Sequence, residues 1–252
     1  MRKAVVLDKS GTIVDPCRVV LDLSSGKYSL CGNTLQFANT RKETLVNVRG
    51  PINSIIKGNT ARLSLKVSYC PLEECPDLGS DLLGDRRVVE GLKGTAQRVI
   101  SGCNSELGVC TALLVDSNGR PTHTVGLGGK LYDEVQSSVR SMMESDCDVF
   151  IATGNCREAS IACAKLLGIP KKFVLFDADP EEKKKLVKKL RGFYGSVIMV
   201  GNDINDLDAM KEADVGIMVA RDGKVPDGAC EADYVVASLK EVERIVSGIR
   251  QP

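Results

Sequence analysis

The sequence predicts an α/β fold in which a parallel sheet carries helices on both faces and is interrupted by an inserted α+β segment. From residue 148 onward, short apolar strands alternate with helical segments, a pattern typical of parallel sheets. The apolar run Ala4–Leu7 supplies a first strand, but the segment after it has the turn-rich pattern of antiparallel hairpins. We therefore expect one domain at 1–15 and 130–252 and an inserted α+β domain at 16–129.

The C-terminal part is expected to alternate strictly between strands and helices. Strands are predicted at 148–152, 172–176, 196–200, 215–219 and 234–236, and helices at 157–167, 181–190, 206–213 and 239–249. Gly168 ends the first helix, and Asp179-Pro180 opens the second because proline is tolerated in a first turn. Ligands of such sheets bind beyond the carboxyl ends of the strands, so the residues after each strand are candidates for a functional site.

The inserted segment is predicted to contain two hairpins, a further strand and a helix. The hairpins are predicted at 18–23 with 27–31 and at 109–115 with 121–127. The second hairpin surrounds Asp116-Ser117-Asn118-Gly119, a sequence that favours a tight turn. Alternating polarity predicts a half-buried strand at 61–69, and 86–101 is expected to be helical.

Composition argues against nucleic-acid and membrane partners. The 252 residues carry a net charge of +1 and include no tryptophan, so neither a basic surface nor a base-stacking platform is indicated. No apolar run reaches membrane-spanning length, and the N-terminus lacks the apolar stretch of a signal peptide. We expect a cytoplasmic protein, and the composition indicates no oligomeric state.

The chain contains ten cysteines, which we expect to be reduced thiols because nothing indicates secretion. Cys70, Cys75, Cys103 and Cys110 cluster in the middle of the sequence. A zinc or iron–sulfur site there is one interpretation, but the spacings fit no standard ligand pattern. Burial as small apolar side chains is the favoured interpretation.

Asp8 ends the first predicted strand and begins the run Asp8-Lys9-Ser10-Gly11-Thr12. A carboxylate at a strand end lies at the ligand-binding edge, and Gly11 lets the backbone approach an anion closely. By itself this run is equally compatible with an ordinary aspartate at the end of a strand.

Three further strand or helix ends carry polar residues of matching chemistry. Thr153-Gly154-Asn155 follows the next strand, where a hydroxyl can bond a phosphate oxygen, although such a threonine is often only a helix cap. Lys183 opens a helix from which it can neutralise phosphoryl charge, although the alternative interpretation is a solvated, lysine-rich helix face. The turn Gly201–Asp206 supplies oxygen ligands of the kind that Mg²⁺ prefers.

Together these four motifs resemble the haloacid dehalogenase superfamily, and within it the phosphorylation domain of P-type ATPases. Asp-Lys-Ser-Gly-Thr is similar to their Asp-Lys-Thr-Gly-Thr, and Thr153-Gly154-Asn155 resembles their Thr-Gly-Asp. The run 199–206 with 213–217 resembles their Gly-Asp-Gly-x-Asn-Asp hinge and the strand after it. The resemblance covers residues 1–15 and about 130–245. It implies a Rossmann-like core with a cap domain, or a pump's nucleotide domain, at the position of the insert.

The resemblance also implies a role for each matching residue. Asp8 would attack phosphorus, Thr153 and Lys183 would hold phosphoryl oxygens, and Asp206 would orient Lys183 or support magnesium. The expected phosphate-binding residues are Gly11, Thr12, Thr153, Gly154, Asn155, Lys183 and Asn205. The expected Mg²⁺ ligands are Asp8, the Ser10 carbonyl, and Asn202 or Asp203.

Two positions depart from the family pattern. Family phosphatases usually carry a second aspartate where this chain has Ser10, and a hydroxyl cannot shuttle a proton near neutral pH as a carboxyl does. Hydrolysis of the intermediate is therefore expected to be slow. Asn202 replaces the usual metal-binding aspartate, which predicts weaker magnesium binding unless the adjacent Asp203 substitutes.

A short stretch of the insert is similar to the nucleotide-binding residues of P-type ATPases. Phe37 would stack on adenine, with Lys42 nearby and Lys57-Gly58 later in the chain. The competing and favoured interpretation is a buried phenylalanine beside exposed basic residues, since a short motif is weak evidence. His123, the one histidine, has no partner motif and is interpreted as a polar residue at the surface of a strand.

Three functions are compatible with these observations. The first is a Mg²⁺-dependent phosphohydrolase that acts through an aspartyl phosphate on a small phosphorylated metabolite. The second is a P-type-ATPase-like protein without membrane spans, phosphorylated from ATP at Asp8. The third is a non-catalytic binding module, which the retention of Asp8, Thr153, Lys183 and Asp206 disfavours.

Overall fold

The structure is a computed structural model, and it describes residues 2–79, 81–103, 107–223, 225 and 228–249. The strands are β1 (Lys3–Leu7), β2 (Val14–Asp22), β3 (Tyr28–Leu30), β4 (Thr44–Arg49), β5 (Ser64–Tyr69), β6 (Cys110–Val115), β7 (Pro121–Leu131), β8 (Cys147–Ala152), β9 (Val174–Leu175), β10 (Ser196–Gly201), β11 (Val215–Val219) and β12 (Tyr234–Val236). The helices are α1 (Thr34–Arg41), α2 (Ile52–Ile56), α3 (Arg86–Gly102), α4 (Val135–Glu144), α5 (Arg157–Leu167), α6 (Pro180–Arg191), α7 (Leu207–Glu212) and α8 (Leu239–Gly248).

Internal contacts divide the chain into two compact units. The first comprises Met1–Asp15, Leu131–Asn155 and Ser160–Pro252, and the second comprises Pro16–Lys130 and Cys156–Ala159. The first unit therefore consists of separate stretches of sequence, and its β1 lies far from its remaining strands along the chain.

A parallel sheet with the order β12-β11-β10-β1-β8-β9 forms the first unit. Strands β1 and β10 are buried at every residue, as expected for central strands covered on both faces. Val6 packs with Val187 of α6 and Met210 of α7, while strand alternation turns the buried Leu7 to the opposite face. Helix α4 packs against β8 and α8. The predicted α/β fold with helices flanking a parallel sheet is thus confirmed.

An antiparallel sheet with the order β3-β2-β7-β6-β4-β5 forms the second unit. Helix α1 covers one face, where Phe37 packs with Leu114 of β6. Helices α2 and α3 cover the other face, where Ile55 and Val88 pack with Leu113, the neighbour of Leu114 in β6. Consecutive residues of β6 therefore belong to two separate cores, as the alternation of a strand requires.

Some elements differ from the sequence predictions. The strand predicted at 172–176 is replaced by a 3-10 turn at Lys171–Phe173 and the two-residue strand β9, because the chain turns after Pro170 and pairs only briefly with β8. Helix α4 was not predicted, although its buried residues Val135, Val139 and Met142 have helical spacing. The short elements α1, α2 and β4 were also not predicted.

The expectation that the cysteines are reduced thiols is wrong for six of them. The structure joins Cys17 to Cys103, Cys70 to Cys75, and Cys110 to Cys156, with Cα–Cα distances of 6.0, 5.9 and 5.5 Å. The four cysteines considered as a metal cluster therefore enter three different pairs. Among the described residues, no group of three or more His, Cys, Asp or Glu side chains is arranged to hold a metal.

Across the part of the chain that the structure describes, none of the helices combines the length and the apolar character that a membrane crossing requires.

Gly126 of β7 lies directly under helix α3, and an added Cβ would approach the carbonyl oxygen of Thr95 to 2.6 Å. Because this atom belongs to helix backbone, G126A should destabilise the protein by about 2 kcal/mol through overpacking. Urea unfolding measures the change. The matched control is G102A at the end of α3, where nothing lies within 4 Å of the added Cβ. Equal effects of the two substitutions would contradict this packing.

Candidate active site

Three neighbouring strands of the parallel sheet each end directly before a predicted site residue. Asp8 follows β1, Thr153 follows β8, and Asn202 follows β10. The register pairs Leu7 with Ile151 and Val200, so the three strands end at the same level. The sheet therefore brings these side chains to one edge, as the sequence predicted.

The ammonium group of Lys183 joins two carboxylates at this edge. Its Nζ donates to Oδ1 of Asp8 and to Oδ1 of Asp206, each at 2.6 Å. The Lys183 side chain is 0% exposed. An unpaired buried charge costs several kcal/mol, so the two carboxylates are what allows this lysine to be buried as a cation.

The start of helix α6 determines where Lys183 lies. The Asp179 side chain accepts the backbone N–H of Glu182 at 2.8 Å, and the Glu182 carboxylate accepts the backbone N–H of Asp179 at 2.9 Å. This capping box, followed by Pro180 in the first turn, fixes the first residue of the helix. Lys183 then follows in the first turn and extends towards the sheet edge.

Backbone donors hold the second carboxylate of the site. Oδ2 of Asp206 accepts the N–H groups of Asn202 at 3.0 Å and of Asp203 at 3.3 Å. Asp206 is fully buried, so its position is defined by Lys183 on one oxygen and by the turn after β10 on the other. Asp206 therefore links the cation to the turn that carries Asn202.

Burial and neighbouring charges shift the acidities of these groups. Burial raises the pKa of Asp8 to about 6, with a further increase from Asp206 and an opposing decrease from Lys183. Burial alone would lower the pKa of Lys183, but the carboxylates of Asp206 and Asp8 outweigh it and raise that pKa. Lys183 is therefore held as a cation, whereas the pKa of Asp8, about 6, lies above the ordinary range of an aspartate.

The loop after Asp8 packs closely against Asn202. Gly11 has a φ of +88°, and a Cβ at this position would collide with the Asn202 amide. Thr12 is fully buried, and its hydroxyl donates to Oδ1 of Asn202 at 3.3 Å. Asn202 therefore lies beside the loop that carries Asp8. The Asp203 carboxylate instead caps the following 3-10 turn by accepting the backbone N–H of Ile204 at 2.7 Å.

Asn155 connects the Thr153 motif to the Asp8 loop. Its Oδ1 accepts the Ser10 hydroxyl at 2.9 Å and the Lys9 ammonium at 3.1 Å. The backbone N–H of Asn155 donates to Oγ1 of Thr153 at 3.1 Å. The Thr153 hydroxyl therefore accepts a hydrogen bond within the turn that follows β8. The Ser10 hydroxyl is thus committed to Asn155.

Two residues near the site were not predicted from the sequence. Lys9 is buried beside Asp8, and burial lowers the pKa of its ammonium group. Arg221 lies just beyond β11, and its guanidinium donates to the Thr12 carbonyl at 2.7 Å. Arg221 follows a strand end, so the rule that selected Asp8 and Thr153 could have found it.

Asn205, in the 3-10 turn Ile204–Asp206, and Gly154 lie in the same strand-end segments as the residues above. The three residues of the suggested nucleotide motif do not converge. Phe37 packs on the α1 face of the second sheet, against His123 and under Arg41. The surface position expected for His123 is wrong, because its side chain is buried and its Nδ1 lies 3.4 Å from the Glu43 carboxylate. Lys57 ends helix α2, which lies on the opposite face of that sheet. Lys42 is the exposed left-handed residue that ends α1.

The donor set at the sheet edge is suited to a hard divalent cation. It consists of the buried Asp8 carboxylate, the Ser10 main-chain carbonyl and the Asn202 amide oxygen, all of them oxygen donors. The raised pKa of Asp8 indicates a buried carboxylate that a further positive charge would stabilise. These residues fit Mg²⁺ held by one carboxylate and neutral oxygens.

Comparison with known proteins agrees with this arrangement. A family model described as haloacid dehalogenase-like hydrolase matches residues 2–214. A soluble P-type ATPase-like phosphatase of Methanocaldococcus jannaschii is 26% identical over 98% of this chain and 96% of its own length. A copper-exporting P-type ATPase of Staphylococcus aureus is 26% identical over 96% of this chain, which spans 30% of that relative's length. The predicted resemblance is confirmed.

Solved structures show the same fold. The catalytic domain of the CPx-ATPase CopB-B matches 98% of this chain and 89% of its own with a TM-score of 0.51 at 13% identity. A zinc-transporting PIB-type ATPase matches 98% of this chain and 41% of its own with a TM-score of 0.50 at 20% identity. At these identities the likeness concerns the fold alone.

The carboxyl of Asp8 should titrate near pH 6 in metal-free protein, because burial raises its pKa to about 6. D206N removes a neighbouring negative charge and should lower this pKa, so that Asp8 stays ionised in more acidic solution. Carbon-13 NMR of labelled aspartate side chains measures the titration. D214N, which removes a carboxylate paired with Arg191, should leave the pKa of Asp8 unchanged. A titration of Asp8 near pH 4 in the wild type would contradict the burial argument.

Proposed function

The chain belongs to the haloacid dehalogenase-like hydrolase family, and on that premise we propose that it is a Mg²⁺-dependent phosphatase acting through an aspartyl phosphate on Asp8. The proposed substrate is a small phosphorylated metabolite. The observation that carries the proposal is the fully buried Lys183 ammonium, 2.6 Å from both Asp8 and Asp206 at the sheet edge. A carboxylate next to a fixed cation suits nucleophilic attack on an anionic phosphate.

In the proposed reaction, a carboxylate oxygen of Asp8 attacks phosphorus while the bond to the ester oxygen breaks. The ester oxygen leaves with the bonding electron pair and takes a proton from solvent to become the free alcohol, and the phosphoryl group remains on Asp8. Water then attacks the same phosphorus, releases inorganic phosphate and regenerates the carboxylate. Asp8 must be ionised to begin this cycle. Its raised pKa therefore predicts that the fraction of enzyme with an ionised Asp8 decreases as the pH falls below about 6.

Lys183 and Thr153 are proposed to hold the phosphoryl oxygens. Lys183 already donates to the Asp8 oxygen, so its ammonium lies beside the atom that would bind phosphorus. Asp206 is proposed to orient Lys183 throughout, since its other oxygen is held by two backbone N–H groups. Further residues proposed to line the phosphate are Gly11, Thr12, Gly154, Asn155 and Asn205.

The charge balance of the site supports a divalent cation. Asp8, Lys9, Lys183 and Asp206 are all buried, and their charges cancel when all four are ionised. A phosphate dianion adds two negative charges to this neutral set, and a dication would compensate them. Mg²⁺ bound by Asp8, the Ser10 carbonyl and Asn202 would supply this compensation and polarise the phosphoryl group. The capping contact of Asp203 with Ile204 favours Asn202 over Asp203 as the ligand.

Phosphorylation from ATP is a second candidate function, which the relatives named P-type ATPases and Ser10 both favour. Without a carboxyl at position 10 to activate water, the phosphorylated form of Asp8 is expected to persist. The Ser10 hydroxyl donates its proton to Asn155, so this hydroxyl is not oriented to accept a proton from water. In this alternative the phosphoenzyme itself is the functional state.

Acid quenching during turnover tests both candidates. With Mg²⁺ and a labelled phosphate ester, the wild type should release phosphate and carry a hydroxylamine-labile label that D8N lacks. Labelling by ATP, without turnover of esters, would support the second candidate. D214N serves as a control because it removes a partly exposed carboxylate outside the site. If neither ester nor ATP labels or turns over with the wild type, both candidates are wrong.

Replacing Ser10 with aspartate should restore the missing acid–base group. S10D is expected to hydrolyse the phosphoenzyme about a hundredfold faster, within the range of general acid–base catalysis. The Asn155 amide must rotate to present its NH₂ group, because its oxygen now accepts the Ser10 hydroxyl. Decay of the labelled phosphoenzyme after a chase measures the rate. S10A is the control and should decay as the wild type does, whereas an equally slow S10D would contradict the prediction.

A further inference from the structure

Arg221 lies on the same edge of the parallel sheet as the proposed phosphatase site, just beyond the carboxyl end of β11. Strand β11 is the neighbour of β10, which carries Asn202 at its end. The Arg221 side chain is only 15% exposed. A guanidinium buried to this degree is stabilised by specific partners, which for Arg221 are three residues from two segments of the first unit.

The guanidinium makes two short hydrogen bonds and one stacking contact. Nη2 donates to the main-chain carbonyl of Thr12 at 2.7 Å, and Nη1 donates to Oε1 of Glu134 at 2.6 Å. Its Cζ lies 3.8 Å from the centre of the Tyr132 ring. The planar fork of an arginine can reach two acceptors while stacking, and a lysine ammonium cannot reproduce this geometry.

Glu134 anchors one end of this arrangement. It precedes helix α4, and its Oε1 also accepts the backbone N–H of Leu239, the first residue of α8, at 3.3 Å. Burial opposes the ionised form of Glu134, but Arg221 and backbone hydrogen bonds, including that from Leu239, together outweigh burial and lower the pKa of Glu134. Arg221 is therefore bound to a carboxylate whose position is fixed at the starts of α4 and α8.

Thr12 contacts both Arg221 and Asn202, the proposed magnesium ligand. Its carbonyl accepts Arg221, and its buried hydroxyl donates to Oδ1 of Asn202 at 3.3 Å. Gly11 packs against the same amide on the neighbouring side. A neutral amide oxygen is a weaker ligand than a carboxylate, so its contribution depends on being held in the right place.

We propose, on the basis of the proposed phosphatase function, that Arg221 is a positioning residue for cation binding, which fixes Asn202 through Thr12. The role is specific: Arg221 touches neither the cation nor the phosphate, and it acts on the amide that replaces the family's usual aspartate. A purely structural clamp would instead change the stability of the protein and leave its affinity for the cation unaltered.

Direct binding of Mn²⁺, used as a paramagnetic probe for the Mg²⁺ site, tests the proposal without relying on activity. By electron paramagnetic resonance, R221Q should bind Mn²⁺ about tenfold more weakly than the wild type, the loss typical of a residue behind a ligand. The Mg²⁺ concentration for half-maximal phosphatase activity should rise by the same factor, while kcat at saturating Mg²⁺ changes little. R191Q is the matched control, because Arg191 is paired with Asp214 and Glu212 outside the site.

A double-mutant cycle tests the route through Thr12. T12V removes the hydroxyl that reaches Asn202, and it should weaken Mn²⁺ binding as R221Q does. If Arg221 acts through Thr12, the double variant should bind no more weakly than the weaker single variant. Fully multiplicative effects would overturn this route. An unchanged affinity in R221Q, or an equal loss in R191Q, would overturn the proposal itself.

R221K keeps the positive charge beside Glu134 but loses the fork, so it serves if R221Q does not fold. It should unfold near the wild-type temperature and still bind Mn²⁺ more weakly, and wild-type affinity in R221K would overturn the proposal.

Failure of the phosphatase function is distinguishable from failure of this inference. Wild-type protein that binds Mn²⁺ without hydrolysing esters contradicts only the function. An active wild type with unchanged affinity in R221K contradicts only the role of Arg221, and a wild type without Mn²⁺ binding contradicts both.

Discussion

The ammonium of Lys183 is the group on which the rest of the first unit depends. It is fully buried, and its two carboxylate partners come from the end of β1 and from the turn after β10. Removing one partner of a buried ion pair typically costs about 3–5 kcal/mol, because the remaining charge has lost its compensation. The capping of α6 and the backbone donors to Asp206 are both arranged around this one cation. Strand order, helix start and turn conformation therefore satisfy a single electrostatic requirement.

Much of this arrangement could be predicted from the sequence because the rules behind it are local. Apolar runs indicate parallel strands, and polar residues after them must meet at one edge of the sheet. Asp179-Pro180 determined where α6 begins, and so where Lys183 extends. The positions of Asp8, Thr153 and Lys183 at the sheet edge are accordingly predictable from the sequence. Their catalytic roles stay proposals.

What could not be predicted depends on distant or competing contacts. Asn202 and Asp203 are adjacent, and the sequence does not show that the Asp203 carboxylate caps a turn by accepting the Ile204 N–H. The position of Lys9 could not be predicted, because alternation after a strand does not indicate that its side chain reaches Asn155, far away in sequence. The order of Phe37 and Lys57 along the chain likewise contains no information about which face of a sheet each occupies. Disulfide pairing is a similar case, since partners such as Cys17 and Cys103 lie 86 residues apart.

That last disulfide changes the chain entropy of the whole fold. The segments of the first unit on either side of the insert, which end at Asp15 and resume at Leu131, must find each other across the second unit. A covalent shortcut from Cys17 to Cys103 reduces the path between them to roughly a quarter of its length, which lowers the entropy cost of loop closure by about 1 kcal/mol. The disulfide therefore gives the two segments of the first unit a short covalent path to each other, as a short loop would. A large second unit can therefore be accommodated directly after β1 with little effect on how readily β1 finds β8 and β10.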